Sequence, residues 1–289
     1  MSQDFGTRPS VTFRPSATAN LMIDSSDRDT NAYPSEWDFQ IVKRESIMNG
    51  FFNRIATTEV VLNWCVPNIN TEFGNTTMTF DLSGTGGNTH ASTQTITLLD
   101  GFYTVEETLK GMVSQLNDLS GTTAMTFAIV TTGATVSIVS TGGDFTITAT
   151  TLSEQLMMEQ EQNALNEWYV GQCANLQPYR YIDFVSQDLT YAQYLKDSNT
   201  TSKPIDVLCR WYFADDAPEM LDGLGFPILQ GYKNFCRRRI FNPPKYIRWD
   251  NNLPIGNLRF GVYADGALLP PNLGDNDSTW LMTLQVSEN

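Results

Sequence analysis

The chain offers little that could do bond-breaking chemistry. One histidine, His90, lies in the polar stretch SGTGGNTHAST. A Ser-His-Asp hydrolase would have to use it, but no GxSxG elbow occurs and the surroundings read as an exposed loop. Carboxylates gather at Asp24/Asp27/Asp29, Asp215/Asp216/Glu219 and Asp275/Asp277. Oxygen-rich turns can bind calcium, yet none of the three follows the spacing of an EF-hand loop. A solvated turn or a helix N-terminus accounts for them, most directly for Asp215/Asp216 ahead of the Ala-Pro-Glu-Met-Leu helix start. Gly84, Gly86 and Gly87 lack the Lys-Ser/Thr and helix of a phosphate loop. The cysteines, Cys65, Cys173, Cys209 and Cys236, are widely spaced and form no CxxC pair, which suits reduced, partly buried thiols better than a zinc site or disulfide framework. The sequence therefore assigns no catalytic residue, no metal ligand and no cofactor, and reads as a non-enzyme.

Charge points the same way. Lys and Arg number 18 against 32 Asp and Glu, a net −14, so the surface field repels phosphates and general nucleic-acid binding is not expected. The one dense basic patch is Arg237-Arg238-Arg239, beside Lys233, Lys245 and Arg248. In an acidic protein such a patch pairs with carboxylates of its own chain or of a neighbour. Trp168, Tyr169, Tyr179, Tyr181, Trp211 and Tyr212 form a second candidate, a sugar-binding platform, although core or interface use is the commoner fate of such residues.

These groups must be held by a mainly β scaffold. Apart from a Ser/Thr/Pro/Arg-rich arm over residues 1–19, which reads either as a disordered terminus or as a segment that orders on a neighbour, strand patterns recur. They run through WDFQIVKRE and NRIATTEVVLNWCVPN, then RYIDFVSQDLTYAQYL, PIDVLCRWYFA, KYIRWD, LRFGVYADGALL and TWLMTLQVS. Leu258, Phe260 and Val262 alternate with Arg259 and Gly261, as Trp280, Met282, Leu284 and Val286 do with their neighbours. Asp265-Gly266 suits a tight hairpin turn and Pro270-Pro271 ends the pairing beyond it. Residues 75–160 differ in composition, being rich in Thr, Ser and Gly, with hairpin punctuation expected at Thr132-Gly133 and Gly142-Gly143. Within them Thr104 and Glu107 make a capping box before Val105, Leu109, Met112, Val113 and Leu116 at helical spacing, and a second helix is expected from Thr151 through Leu165. The organisation expected is an arm (1–19), a sandwich in two parts (20–74 and 161–289) and an α+β insertion (75–160).

The stretch from Asn20 to Glu45, NLMIDSSDRDTNAYPSEWDFQIVKRE, carries a resemblance. Its Ile23, Asp24, Asp27, Arg28, Asp29, Tyr33, Pro34, Phe39 and Ile41 resemble the passage that opens single jelly-roll capsid proteins, specifically the penton (vertex) proteins of virophages, polinton-like viruses and giant-virus relatives. NNLPIGNLRFGVYADGALLPP with STWLMTLQVSEN resembles their closing strands. LDGLGFP resembles a short helix-to-strand element of related minor capsid proteins, and TITLLDGFYTVEETLKGMVSQLN resembles a strand-to-helix passage found in them.

The resemblance implies a single jelly roll acting by assembly: a homopentamer at icosahedral vertices, in contact with the major capsid protein and other minor capsid proteins. It implies a virion location, with assembly in the host cytoplasm or nucleus, and a host receptor as a partner for the insertion. The alternative is a carbohydrate- or receptor-binding sandwich of a fibre or tail. No run approaches the roughly 20 apolar residues needed to span a bilayer, and the first 19 residues lack the apolar segment of a signal peptide. No membrane span is expected.

Overall fold

The structure is a computed structural model. It describes residues 18–42, 52–84, 92–120, 125–158, 166–190, 197–198, 204–205, 207–213, 220–228, 234–248, 256–271, 273 and 278–287. Of the expected arm over 1–19, Thr18 and Ala19 begin the first strand, and residues 1–17 lie outside the described set, as do His90, Gly86, Gly87, Lys233 and the acidic groups at 215–219 and 275–277.

Eighteen strands and three α-helices are described. β1 (Thr18–Asp24), β2 (Asp38–Val42) and β3 (Arg54–Trp64) open the chain. β4 (Thr77–Gly84), β5 (Ser92–Thr97), α1 (Val105–Ser120), β6 (Thr126–Thr132), β7 (Thr135–Thr141), β8 (Gly143–Thr148), α2 (Thr151–Gln155) and β9 (Glu167–Val170) follow. Then come β10 (Tyr181–Val185), α3 (Gln187–Thr190), the two-residue pair β11 (Asp197–Ser198) and β12 (Pro204–Ile205), and β13 (Val207–Tyr212). β14 (Phe235–Ile240), β15 (Tyr246–Arg248), β16 (Asn257–Ala264), β17 (Ala267–Leu268) and β18 (Thr279–Ser287) complete the described set.

One sheet runs β1-β18-β3-β14, with β15 continuing beside β14 along the other half of β3. The facing sheet runs β2-β16-β10-β13, with the hairpin strand β17 beside β16. Lettered B to I along the chain, with β14 and β15 together as G, these orders are B-I-D-G and C-H-E-F. That is the jelly roll, and the α+β insertion sits between its strands D and E.

The alternation in β16 and β18 explains why the sheets stack. Leu258, Phe260, Val262, Trp280, Met282, Leu284 and Val286 are all buried in one core. Trp280 lies at its centre, with ring centroids 5.4, 5.2 and 5.9 Å from Phe39, Phe184 and Phe260 of the opposite sheet. Its indole Nε1 donates to the Glu36 carbonyl at 2.9 Å, so the aromatic bulk is buried without an orphaned donor. Asp265 (φ 46°) and Gly266 (φ 89°) form the expected tight turn between β16 and β17. β18 then crosses to the other sheet and runs antiparallel between β1 and β3.

The insertion encloses a second core. Sheets β5-β4-β8 and β6-β7-β9 pack with α1 around Met78, Phe80, Leu109, Met112, Ile138 and Phe145. α1 starts as its capping box requires: Thr104 Oγ1 accepts from Glu107 N at 3.1 Å, while Glu107 Oε2 accepts from Thr104 N at 2.9 Å. This core also takes Ile69 from before the insertion, Trp168, Val170 and Leu176 from after it, and Phe226 from the connection between β13 and β14.

Three local expectations change. Gly142 (φ 91°) does not close a hairpin: β7 and β8 on either side belong to different sheets, and the glycine makes the corner. α2 is capped by Thr150 with Ser153, rather than by Thr151 with Glu154, and ends at Gln155 because Met157 turns into the left-handed region (φ 52°); residues 159–165 lie outside the described set. LDGLGFP is a tight loop closed by a Leu221–Pro227 bridge, with Gly225 at φ 90°, and contains no helix.

Candidate assembly interface

Because each sheet has two ends, the sandwich has two lateral edges, and they differ in chemistry. β1 lies beside β2 at one edge; β13 lies beside β14 at the other, where the Phe213 and Phe235 rings meet at 6.2 Å.

At the first edge an open groove of about 520 Å³ separates β1 from β2. Leu21, Ile23 and Ile41 give it apolar lining, Met22 and Val42 project from its rims, and Asp24, Asp27 and Asp29 line one end. The loop between the two strands is fixed from inside. Arg28 donates to the carbonyls of Ser25 (2.9 Å), Tyr33 (3.2 Å) and Pro34 (3.1 Å), and its Nη2 lies 3.6 Å from the buried Glu36 carboxylate. Ser25 Oγ accepts from Trp280 N at 2.8 Å, which ties the loop to β18. Asp24 caps a short 3-10 turn through Ser26 N, and Asp29 closes an Asx turn by accepting from Asn31 N, so two of the three acids also hold local backbone amides. Asp27 is exposed in the same turn.

At the second edge the basic run occupies β14. Arg238 is 61% exposed and pairs with Glu59 at 2.5 Å, and this partner holds its guanidinium above the ordinary arginine value. Arg237 lies over the Phe235 ring, and Arg239 lies among Trp211, Tyr212 and Phe241 at 5.7 to 6.0 Å. Lys245 donates to the Val207 carbonyl, and Ile240 and Tyr246 are exposed nearby. Nearby on β13, Arg210 grips the buried Asp183 carboxylate with two bonds of 2.7 and 2.8 Å, which raises its pKa. The preferred sequence reading of this patch, pairing with carboxylates, describes Arg238 and Glu59 within the chain.

Of the aromatic candidates, Tyr181 and Tyr212 are brought together as cross-strand neighbours with ring centroids 6.0 Å apart, and the other four lie apart from this pair or in a core. Trp168 and Trp211 are buried, one in each core, and Tyr179 meets Phe73 edge-on. Arg210 covers the face of Tyr181 at 3.9 Å. Tyr169 and Tyr212 remain exposed, but on different sheets.

Among the described residues no cluster of three or more His, Cys, Asp or Glu could hold a metal. No described helix is long and apolar enough to cross a membrane. Cys209 is buried, and burial pushes its thiol well above the ordinary range; Cys65 is half-buried, while Cys173 and Cys236 are exposed. The groove residues Met22, Gln40 and Val42 and the edge residues Ile240 and Tyr246 carry no sequence motif. Their only signal was outward alternation in short strands, and strand order is needed to see that they flank an edge.

No protein-family model matches the sequence, and no curated protein does. Among solved structures the chain is similar to the crystal structure of the mavirus penton protein. The match has a TM-score of 0.51 at 10% sequence identity, and covers 95% of this chain and 99% of that one. At that identity the likeness is one of fold, and it spans insertion and jelly roll together.

Proposed function

We propose that this chain is a capsid vertex protein, a penton that assembles as a homopentamer and contacts the major capsid protein of an icosahedral virion. One observation carries the reading: the B-I-D-G and C-H-E-F sheets, with an α+β insertion between D and E, share their fold over nearly the whole length with a penton protein. Two unlike lateral edges add support, because a ring needs a heterologous contact between different surfaces of one subunit. In this reading the insertion, a module of residues 75–160 with β9 packed upon it, serves as the contact with a host surface.

A carbohydrate-binding role has less behind it, since the candidate aromatics are buried or separated except for Tyr181 and Tyr212, and Arg210 covers the first of these and, with Arg239, lies near the second. The reading is tested by the mass of the purified protein in solution together with its position in purified virions. Pentamers in solution and label at the five-fold vertices are expected. A monomer that retains a glycan, absent from vertices, overturns the proposal.

A further inference from the structure

The geometry points to the surfaces that join one subunit to the next: the groove between β1 and β2 of one copy receives the β14 edge of a second copy. This deepens the vertex reading and rests on it. Charge complementarity selects the occupant. The groove presents Asp24, Asp27 and Asp29 beside apolar rims, and the outer face of β14 presents Arg238 beside exposed Ile240, with Arg237 and Arg239 half-buried on the strand's other face, in a chain of net charge −14. Like edges would set acid against acid or arginine against arginine, so self-pairing of either edge is disfavoured.

Apolar surface matches as well. Met22 and Val42 are 64% and 65% exposed at the groove, and Ile240 is 61% exposed at the opposite edge. Exposed apolar side chains inside a charged frame are the usual make-up of an interface with an apolar centre and polar rim. Each copy carries one groove and one edge, at opposite ends of the same sandwich, so the contact propagates head to tail and closes when the rotation per step divides a full turn. Arg238 keeps Glu59 as an internal partner. The approaching Asp27 then adds a second carboxylate to the same guanidinium, which has donors for both.

Charge reversal tests the pairing. Asp27 and Arg238 are both exposed. Asp27→Arg and Arg238→Asp, made singly in the full chain, are each expected to raise the concentration at which rings form by more than about tenfold. The double variant is expected to recover assembly towards wild type, because every interface then carries the swapped pair. The neutral pair Asp27→Asn and Arg238→Gln should flatten the dependence of ring formation on salt. Thermal melts report whether each variant is folded, and the neutral pair carries the test if a reversal unfolds the chain. Rings that form equally well in both single variants overturn the interface, as does a folded double variant that stays as dispersed as the singles. Loss of rings on removal of residues 2–17, with the reversals silent, likewise overturns it, the groove then belonging to the arm. Failure of the wild-type chain to form any ring sinks the vertex reading itself, which separates the two.

Discussion

Arg28 and Glu36 meet inside the loop between β1 and β2, with Nη2 3.6 Å from Oε2 and only 7% and 0% of their side chains exposed. The same guanidinium gathers three backbone carbonyls, so one side chain fixes the loop that shapes the acidic groove.

Replacing Arg28 by Ala therefore leaves a buried carboxylate without its counter-charge, a change that costs about 3–5 kcal/mol. Urea unfolding of Arg28→Ala should show it as a lower midpoint, and Arg28→Ala with Glu36→Gln should recover a large part. A single variant as stable as wild type would mean that the carboxylate is neutral or solvated.

The connection between β13 and β14 clips onto the insertion at α1. Asp222 Oδ2 accepts from Glu106 N at 3.0 Å, Glu106 Oε2 accepts from Gly223 N at 2.6 Å, and Phe226 enters the second core. Phe226→Ala is expected to cost about 3–5 kcal/mol. Faster amide exchange in α1 should appear before any change in β16 or β18, and uniform acceleration across both cores would refute the clip's local role.

That clip should also respond to acid. The hydrogen bond from Lys110 and the backbone N–H of Gly223 hold the Glu106 carboxyl below its ordinary value of 4.5. A depressed folded-state pKa gives stability that is present above the unfolded value and lost as pH falls through the folded one. Protection of α1 should thus decline below about pH 4.5, the ordinary carboxyl value, and Glu106→Gln should remove part of that pH dependence. An unchanged profile in the variant would assign the acid response elsewhere.

Thiol labelling should divide the cysteines by burial. Cys173 and Cys236 should react in the native protein, and Cys209 only after unfolding, because burial both shields its thiol and disfavours the thiolate. Cys209→Ala should be milder than Cys209→Ser, which buries a hydroxyl. A stoichiometric intramolecular disulfide under non-reducing mass spectrometry would contradict this.

Removal of residues 2–17 should leave the melting temperature unchanged while lowering incorporation into particles. β1 is paired with β18 from Thr18 onward, so the cut spares its ladder. Normal particle yield from the truncated protein would show that the segment has no role in assembly.

What could be read from the sequence was local. The Thr104–Glu107 box, the Asp265-Gly266 turn and the alternation through Phe260 and Trp280 each depend on neighbours within a few residues, and each is present in the fold. Gly142-Gly143 misled because a glycine pair marks a reversal without saying which sheet receives the next strand. Phe226 joins a core whose nearest other buried member, Leu176, lies 50 residues earlier in the chain, and nothing in LDGLGFP announces it. The two edges stayed hidden for the same reason, since an edge is defined by the strand that is missing beside it.

The place of β18 bears on how the chain folds. It lies between β1 and β3, and its pairings reach back from Ser287 to Thr18 and to Arg54. Until β18 has been made, β1 and β3 face each other across an unfilled slot, each with a row of unpaired amides and carbonyls. Such long-range closure is slow, because the entropy of joining distant segments is spent before their contacts form. The insertion, whose sheets and α1 are built mainly from closer segments, can condense first and draw β3 and β10 together. The newly made chain is therefore most open to aggregation while β18 is still missing, and any factor that shields a strand slot in that interval would raise the yield of folded subunits.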